Sequence, residues 1–195
     1  MNMPSRRTLL AALAALSLAP AARAQTAPIE RLNAALLDVM KNARSLGARG
    51  REQRLRPVME QVFNLPAMAR IAVGPPWTSF SPADQQALVA AFSDWSIATY
   101  ASRFDGYGGE RFEIEGSTPR PNGDALVDTR IVRPNDAPVQ INYLLRGGRI
   151  VDVYLTGTIS ELASRRSEFA GILRDGGPQR LVAELRRRTA DALRG

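Results

Sequence analysis

Histidine and cysteine are both absent from the 195 residues, and the two absences remove much of the usual chemistry of enzymes. Without histidine there is no imidazole base, no Ser-His nucleophile and not the commonest zinc ligand. Without cysteine there is no thiolate nucleophile and no disulfide, so the core alone must hold the fold together. Catalysis, if there were any, would rest on carboxylates, tyrosine, lysine or arginine. No apolar run approaches the ~20 residues of a membrane-spanning helix, and the chain has no internal repeat and no low-complexity segment.

Charge is only mildly one-sided. The formal net charge is +7, and three of those charges (Arg6, Arg7, Arg23) fall in the first 24 residues, leaving +4 on residues 25–195. No basic motif is studded with aromatics, so nucleic acid is not an expected partner. The start "MNMPSRRTLLAALAALSLAPAARAQ" has arginines before an apolar run from Leu9 to Ala19 and then Ala22-Arg23-Ala24, the small-x-small pattern of a leader-peptidase site. Residues 1–24 are therefore expected to be a cleaved signal peptide, with 25–195 a single domain in a periplasm-like space. "SRRTLL" fits an ordinary secretory leader and also a twin-arginine signal.

Along the rest of the chain the apolar period alternates between two regimes. Ile29, Leu32, Leu36, Val39, Met40 and Ala43 recur at three and four and predict a helix over 28–46, ended by Gly47 and Gly50. A second helix is expected over 51–63 and a short third over 64–74, stopped by Gly74, Pro75 and Pro76. Ser81 and Pro82 are suited to N-cap and first helical position of the longest helix, which reaches about Arg103. Four strands follow in an antiparallel meander: "ERFEIEG", "ALVDTRIVR", "VQINYLLR" and "RIVDVYL". In the last two, Val139, Ile141, Tyr143 and Leu145 share one face, as do Val151, Val153 and Leu155. Ser160 is placed to cap a further helix, and Pro178 to start the last one. The expected class is α+β, with helices on one face of a curved four-stranded antiparallel sheet.

Candidate sites are few. Asp128, Asn142 and Asp152 occupy polar registers of neighbouring strands and are expected to form the solvated face, although a carboxylate pair there is conceivable. Tyr107–Glu110 and Gly147–Arg149 are turns, since neither leads from a strand into a helix as a phosphate loop does. No cofactor is expected. Arg165-Arg166 and Arg186-Arg187-Arg188 read as an exposed helix face, or as groups that meet anionic headgroups or an acidic partner. Trp77, Trp95, Tyr100, Tyr107 and Tyr143 are large, polar-tipped residues in the middle of the chain, a type that often rims a wet or occupied cavity.

"FNLPAMARIAVGPPWTSFSPADQQALVAAFSDWSIATYASRF" resembles the central segment of the MlaC and toluene-tolerance family, with its Gly-x-x-Trp step, acidic-Gln helix opening and Phe…Tyr-x-x-x-Phe pattern. "IVDVYLTGTISELASRRSEFAGILRDGGPQRLVAEL" is similar to the family's second block, and "RFDGYGGERF" to its hopanoid-biosynthesis-associated branch. The resemblance implies an NTF2-like arrangement with an apolar pocket for acyl chains and the headgroup near solvent. It further implies a periplasmic carrier working between an outer-membrane lipoprotein complex and an inner-membrane ABC transporter, with phospholipid or a hopanoid-like lipid as cargo. Such a carrier is not an enzyme. The alternative is an NTF2-like enzyme using a tyrosine and a carboxylate on a small hydrophobic substrate. Under the resemblance, the lipid-contacting residues are Trp77, Phe92, Trp95, Tyr100, Phe104 and Tyr107 before the strands, and Val127, Ile141, Tyr143, Val153 and Leu155 within them.

Overall fold

The computed structural model describes residues 18–194, with side chains from Gln25 onward. The expected leader lies outside the described residues except for the backbone of 18–24. Helix α1, Leu18–Lys41, buries Ile29, Leu32, Leu36 and Val39 completely. It ends earlier than its periodicity predicts. The Asn42 side chain donates to the Asp38 carbonyl at 2.9 Å, and the chain restarts at once as α2, Ala43–Val62. Gly47, expected as a terminator, does break the helix: at φ 60° it separates the first turn of α2 from its longer arm, a conformation that a residue with a Cβ would resist. Helix α3, Leu65–Val73, is capped by Asn64, whose side chain accepts from the Ala67 N–H at 3.2 Å.

A 3-10 turn over Pro75–Ser79 leads to α4, Pro82–Arg103. Its start is as the sequence predicts: Pro82 lies in the first turn, and Ser81 Oγ accepts from the Asp84 N–H at 3.1 Å. The α4 helix packs against α2, α3 and α5, so one side of it faces protein along most of its length.

The sheet has five strands, not four: β1 Arg111–Pro119, β2 Ala125–Arg133, β3 Asp136–Arg146, β4 Arg149–Leu155 and β5 Ile159–Ser160, antiparallel in that order. The fifth escapes periodicity because it is two residues long. Thr156 at φ 51° and Gly157 at φ 79° turn the chain tightly, so that Ile159 and Ser160 pair with Leu155 and Tyr154. A register shift at Leu144/Leu145 also alters the expected β4 face. Ile150 stands opposite Leu145, and Val151 becomes the extra, bulged residue. Beyond the shift the pairs Tyr143–Val153 and Ile141–Leu155 fall in register as the alternation requires.

The polar register is only partly a solvated face. Arg130 bridges Glu113 at 2.8 Å and Glu115 at 3.0 Å across its outer end. Asn142 and Asp152, however, are buried. Asp152 forms no carboxylate pair. It accepts from the Val153 and Leu162 N–H groups and from Ser160 Oγ, while Ser160 Oγ itself accepts from the Ala163 N–H. Strand β4 is thereby tied to the first turn of α5, Glu161–Ala192. Helix α5 breaks at Gly176–Gly177, and Pro178 opens its second arm as expected. No helix among the described residues is long and apolar enough to cross a membrane.

Candidate functional site

Between α4, the first turn of α5 and the apolar face of β3–β4 lies a cavity of about 250 Å³. This is near the lower end of the ~300–1,000 Å³ usual for small-molecule sites. Its walls come from every layer. Met59, Phe63, Leu65 and Met68 close it on the α2–α3 side, and Val139, Ile141, Tyr143, Val153 and Leu155 form the sheet side. From α4 come Phe92, Trp95, Ser96, Thr99, Tyr100 and Arg103, with Phe104 just past its end.

An aromatic chain runs through this wall. Phe63 meets Tyr100 edge-on at 5.6 Å, Tyr100 lies 5.8 Å from Phe104, and Phe104 lies 6.0 Å from Phe112. At the other end Trp95 contacts Phe92 and Phe169, each at 6.1 Å. The helical hydroxyls do not make the wall polar. Ser96 donates to the Phe92 carbonyl and Thr99 to the Trp95 carbonyl, both at 2.7 Å, so both are used up within the helix. Burial pushes the Tyr100 and Tyr143 phenols well above the ordinary phenol range.

Of the residues singled out in the sequence, Phe92, Trp95, Tyr100, Phe104, Ile141, Tyr143, Val153 and Leu155 are brought together around this cavity. Three others lie elsewhere. Trp77 sits in the 3-10 turn, packed against the outside of the core. Tyr107 is exposed beneath Lys41, whose Nζ lies 5.3 Å from the ring centre. Val127 is fully buried opposite Tyr143 and away from the cavity. The α2–α3 wall was not anticipated as a site. Met59 belongs to an evident apolar stripe, but periodicity cannot distinguish a side chain that meets another from one that meets a void.

Three charged groups line the opening: Arg103, Glu161 and Arg165. The basic helix face expected at Arg165 and Arg188 is largely engaged. Arg165 pairs with Glu161 and Glu168, Arg188 with Glu168 and Glu184, and both guanidinium groups lie over the Trp95 ring, at 4.6 and 5.8 Å. Arg166 donates to the Ile71 carbonyl at 3.0 Å. Hydrogen bonds from Arg187 and then Arg188 hold the Glu184 carboxyl down to about 2.

Because the folded-state value lies below the unfolded one of about 4.3, the stabilisation from Glu184 is complete above that value and is lost as pH falls toward 2. Thermal melting from pH 6 to 2 should therefore show a decline that Glu184→Gln makes shallower. Parallel curves for the two proteins would mean that the network contributes nothing.

The arrangement is an apolar cavity in an α+β shell, rimmed by charge, with the geometry of a binding protein for an apolar guest. The profile of the MlaC protein family matches residues 30–187, and the chain belongs to that family. The fold also superposes on the phospholipid-binding protein from Ralstonia solanacearum, solved in complex with a phospholipid. That match has a TM-score of 0.74 at 19% identity and covers 86% of this chain and 98% of the other. A sequence search of curated proteins returns no match.

Proposed function

We propose that this protein is a periplasmic lipid carrier that holds acyl chain in the α4–sheet cavity and passes it between membranes as the soluble binding component of an ABC lipid transport system. The observation that carries this reading is the cavity, whose walls are apolar and aromatic on both the helical and the sheet side. Family membership supports it, as does the phospholipid held by the Ralstonia protein of the same fold.

The physics is that of a shuttle. Each acyl CH₂ removed from water is worth about 0.8 kcal/mol, so a free chain does not cross an aqueous space, whereas transfer from bilayer to apolar cavity is nearly neutral. No bond need be made or broken. The enzyme alternative has its tyrosine and carboxylate in Tyr100 and Glu161, but the pairing is unfavourable for proton transfer. Burial moves the Tyr100 phenol away from neutrality, and Glu161 is engaged by Arg165.

Organic extraction of the protein purified from its native host, followed by mass spectrometry, should recover lipid in stoichiometric amount. An empty protein that also fails to take up lipid after delipidation would overturn the reading. The accompanying expectation is export with removal of residues 1–24. N-terminal sequencing of periplasmic protein should begin at Gln25, and protein retained in the cytoplasm with Met1 intact would refute it. Lysines at positions 6 and 7 should block export only if the route is the twin-arginine one.

A further inference from the structure

Among the described residues only two large apolar side chains are exposed, Tyr107 at 45% and Ile159 at 54%. They stand on opposite banks of the cavity opening. Tyr107 follows Arg103 and Phe104, which line the cavity at the end of α4. Ile159 stands directly opposite Leu155 in the β4–β5 pair and so shares its cavity-side face, two residues before Glu161 at the opening.

The Tyr107 bank is basic. Lys41 and Arg44 line one side of an open cleft whose other side is Asp105 to Tyr107, and the Lys41 ammonium lies over the Tyr107 ring. Arg51 fixes this arrangement from beneath. It is buried and donates to the Ala101 carbonyl at 2.7 Å and to the Ala43 carbonyl at 3.2 Å, which ties the first turn of α2 to the end of α4. Arg44 and Arg103 are thereby held at one end of the molecule. Lys41, Arg44 and Arg103 make no ion pair among the described residues. Of the carboxylates nearby, Glu161 is paired with Arg165 and Glu110 is turned onto the Gly108 N–H at 2.6 Å, so only Asp105 is unengaged.

We propose that the rim of the opening, Tyr107 and Ile159 together with Lys41, Arg44 and Arg103, is a docking face for the surface of an anionic bilayer. The proposal rests on the lipid-carrier reading and adds the place where cargo changes hands. Tyrosine beside lysine and arginine is the composition of a bilayer interface, with the amphipathic ring at headgroup depth and the cations against anionic lipid. A protein partner would be met by a continuous apolar patch at the core of its interface, whereas here the two apolar side chains are single and parted by the opening. A fluid surface receives both banks at once and sets hydrocarbon against the opening, so an acyl chain need not cross water. The net +4 of residues 25–195 adds long-range attraction to the same surface.

The test is sedimentation of the protein, purified from its native host, with vesicles of equimolar phosphatidylglycerol and phosphatidylcholine, beside vesicles of phosphatidylcholine alone. The parent should bind the anionic vesicles at least tenfold more tightly, and added salt should weaken that binding. Lys41→Gln with Arg44→Gln should weaken it about twentyfold, at about fivefold per cation near an anionic surface. Tyr107→Ser with Ile159→Ser should weaken it about tenfold through lost apolar contact. Arg120→Gln, an exposed cation in the β1–β2 turn at the far end of the sheet, should change it less than twofold. All four rim residues changed are exposed and none lines the cavity, so each variant should melt with the parent and yield as much extracted lipid.

A loss from Arg120→Gln equal to that from one rim cation would overturn the docking face, since net charge alone would then account for binding. A lipid-loaded parent that ignores both kinds of vesicle would overturn it too, leaving the rim to an acidic protein, while the carrier reading stands. A parent that is empty and takes up no lipid would overturn the carrier reading and the docking face with it.

Discussion

Val153→Arg should leave the protein folded and deprive it of lipid. Val153 is 7% exposed, pairs with Tyr143 and faces the cavity, so the new side chain would occupy the space of an acyl chain. Burying an unpaired charge costs several kcal/mol. Here the arginine has room to extend toward the opening, where Glu161 lies, and its stem can remain in hydrocarbon while the guanidinium reaches water. The expected result is a melting point lowered by about 5 °C, corresponding to about 2 kcal/mol in a domain of this size. Bound lipid should fall at least tenfold. Val127→Arg is the contrast: fully buried and off the cavity, it offers no exit, and that variant should not fold. Loss of folding in both would mean that the β3–β4 face is ordinary core, and intact lipid binding in Val153→Arg would mean that the cargo lies elsewhere.

Phe63→Ala should do the reverse. The Phe63 ring is 1% exposed, stacks edge-on with Tyr100, and both lines the cavity and belongs to the core. Removing a buried phenyl ring costs about 3–5 kcal/mol, a large part of the 5–15 kcal/mol that holds a typical domain, and melting should fall by about 10 °C. The cavity becomes larger, not blocked, so lipid should still bind below the lowered transition. Calorimetry and lipid stoichiometry on this variant beside Val153→Arg separate stability from binding. If Phe63→Ala loses lipid in proportion to its stability, the cavity and the core are a single cooperative unit.

What could be read in the sequence were the features with local causes. Ser81-Pro82 and Ser160 mark helix starts because side-chain oxygens must satisfy free backbone donors there, and both caps are present. The Tyr143–Val153 pairing follows from period-two alternation. The failures have non-local causes. Val151 is displaced by a bulge that no alternation records, and Asp152 is buried because it ties down a helix start eight residues later. The α2–α3 part of the cavity wall, Met59, Phe63, Leu65 and Met68, was visible as helix but not as site, since whether two packed layers touch or part depends on the whole assembly. Trp77 and Tyr107 looked like cavity residues by type alone, and type does not fix where a turn will set a ring.

The sheet's two margins bear on whether copies of the chain can join edge to edge. Strand β1 has a neighbour on one side only, and β5 at the far margin is two residues long. On β1, Arg111, Glu113 and Glu115 punctuate the strand, the ladder is interrupted between Ile114 and Gly116, and Pro119 closes it without an N–H to offer. Such margins make poor templates for another chain's backbone. Another copy of the chain thus meets no long, open strand at either margin on which to add its own backbone.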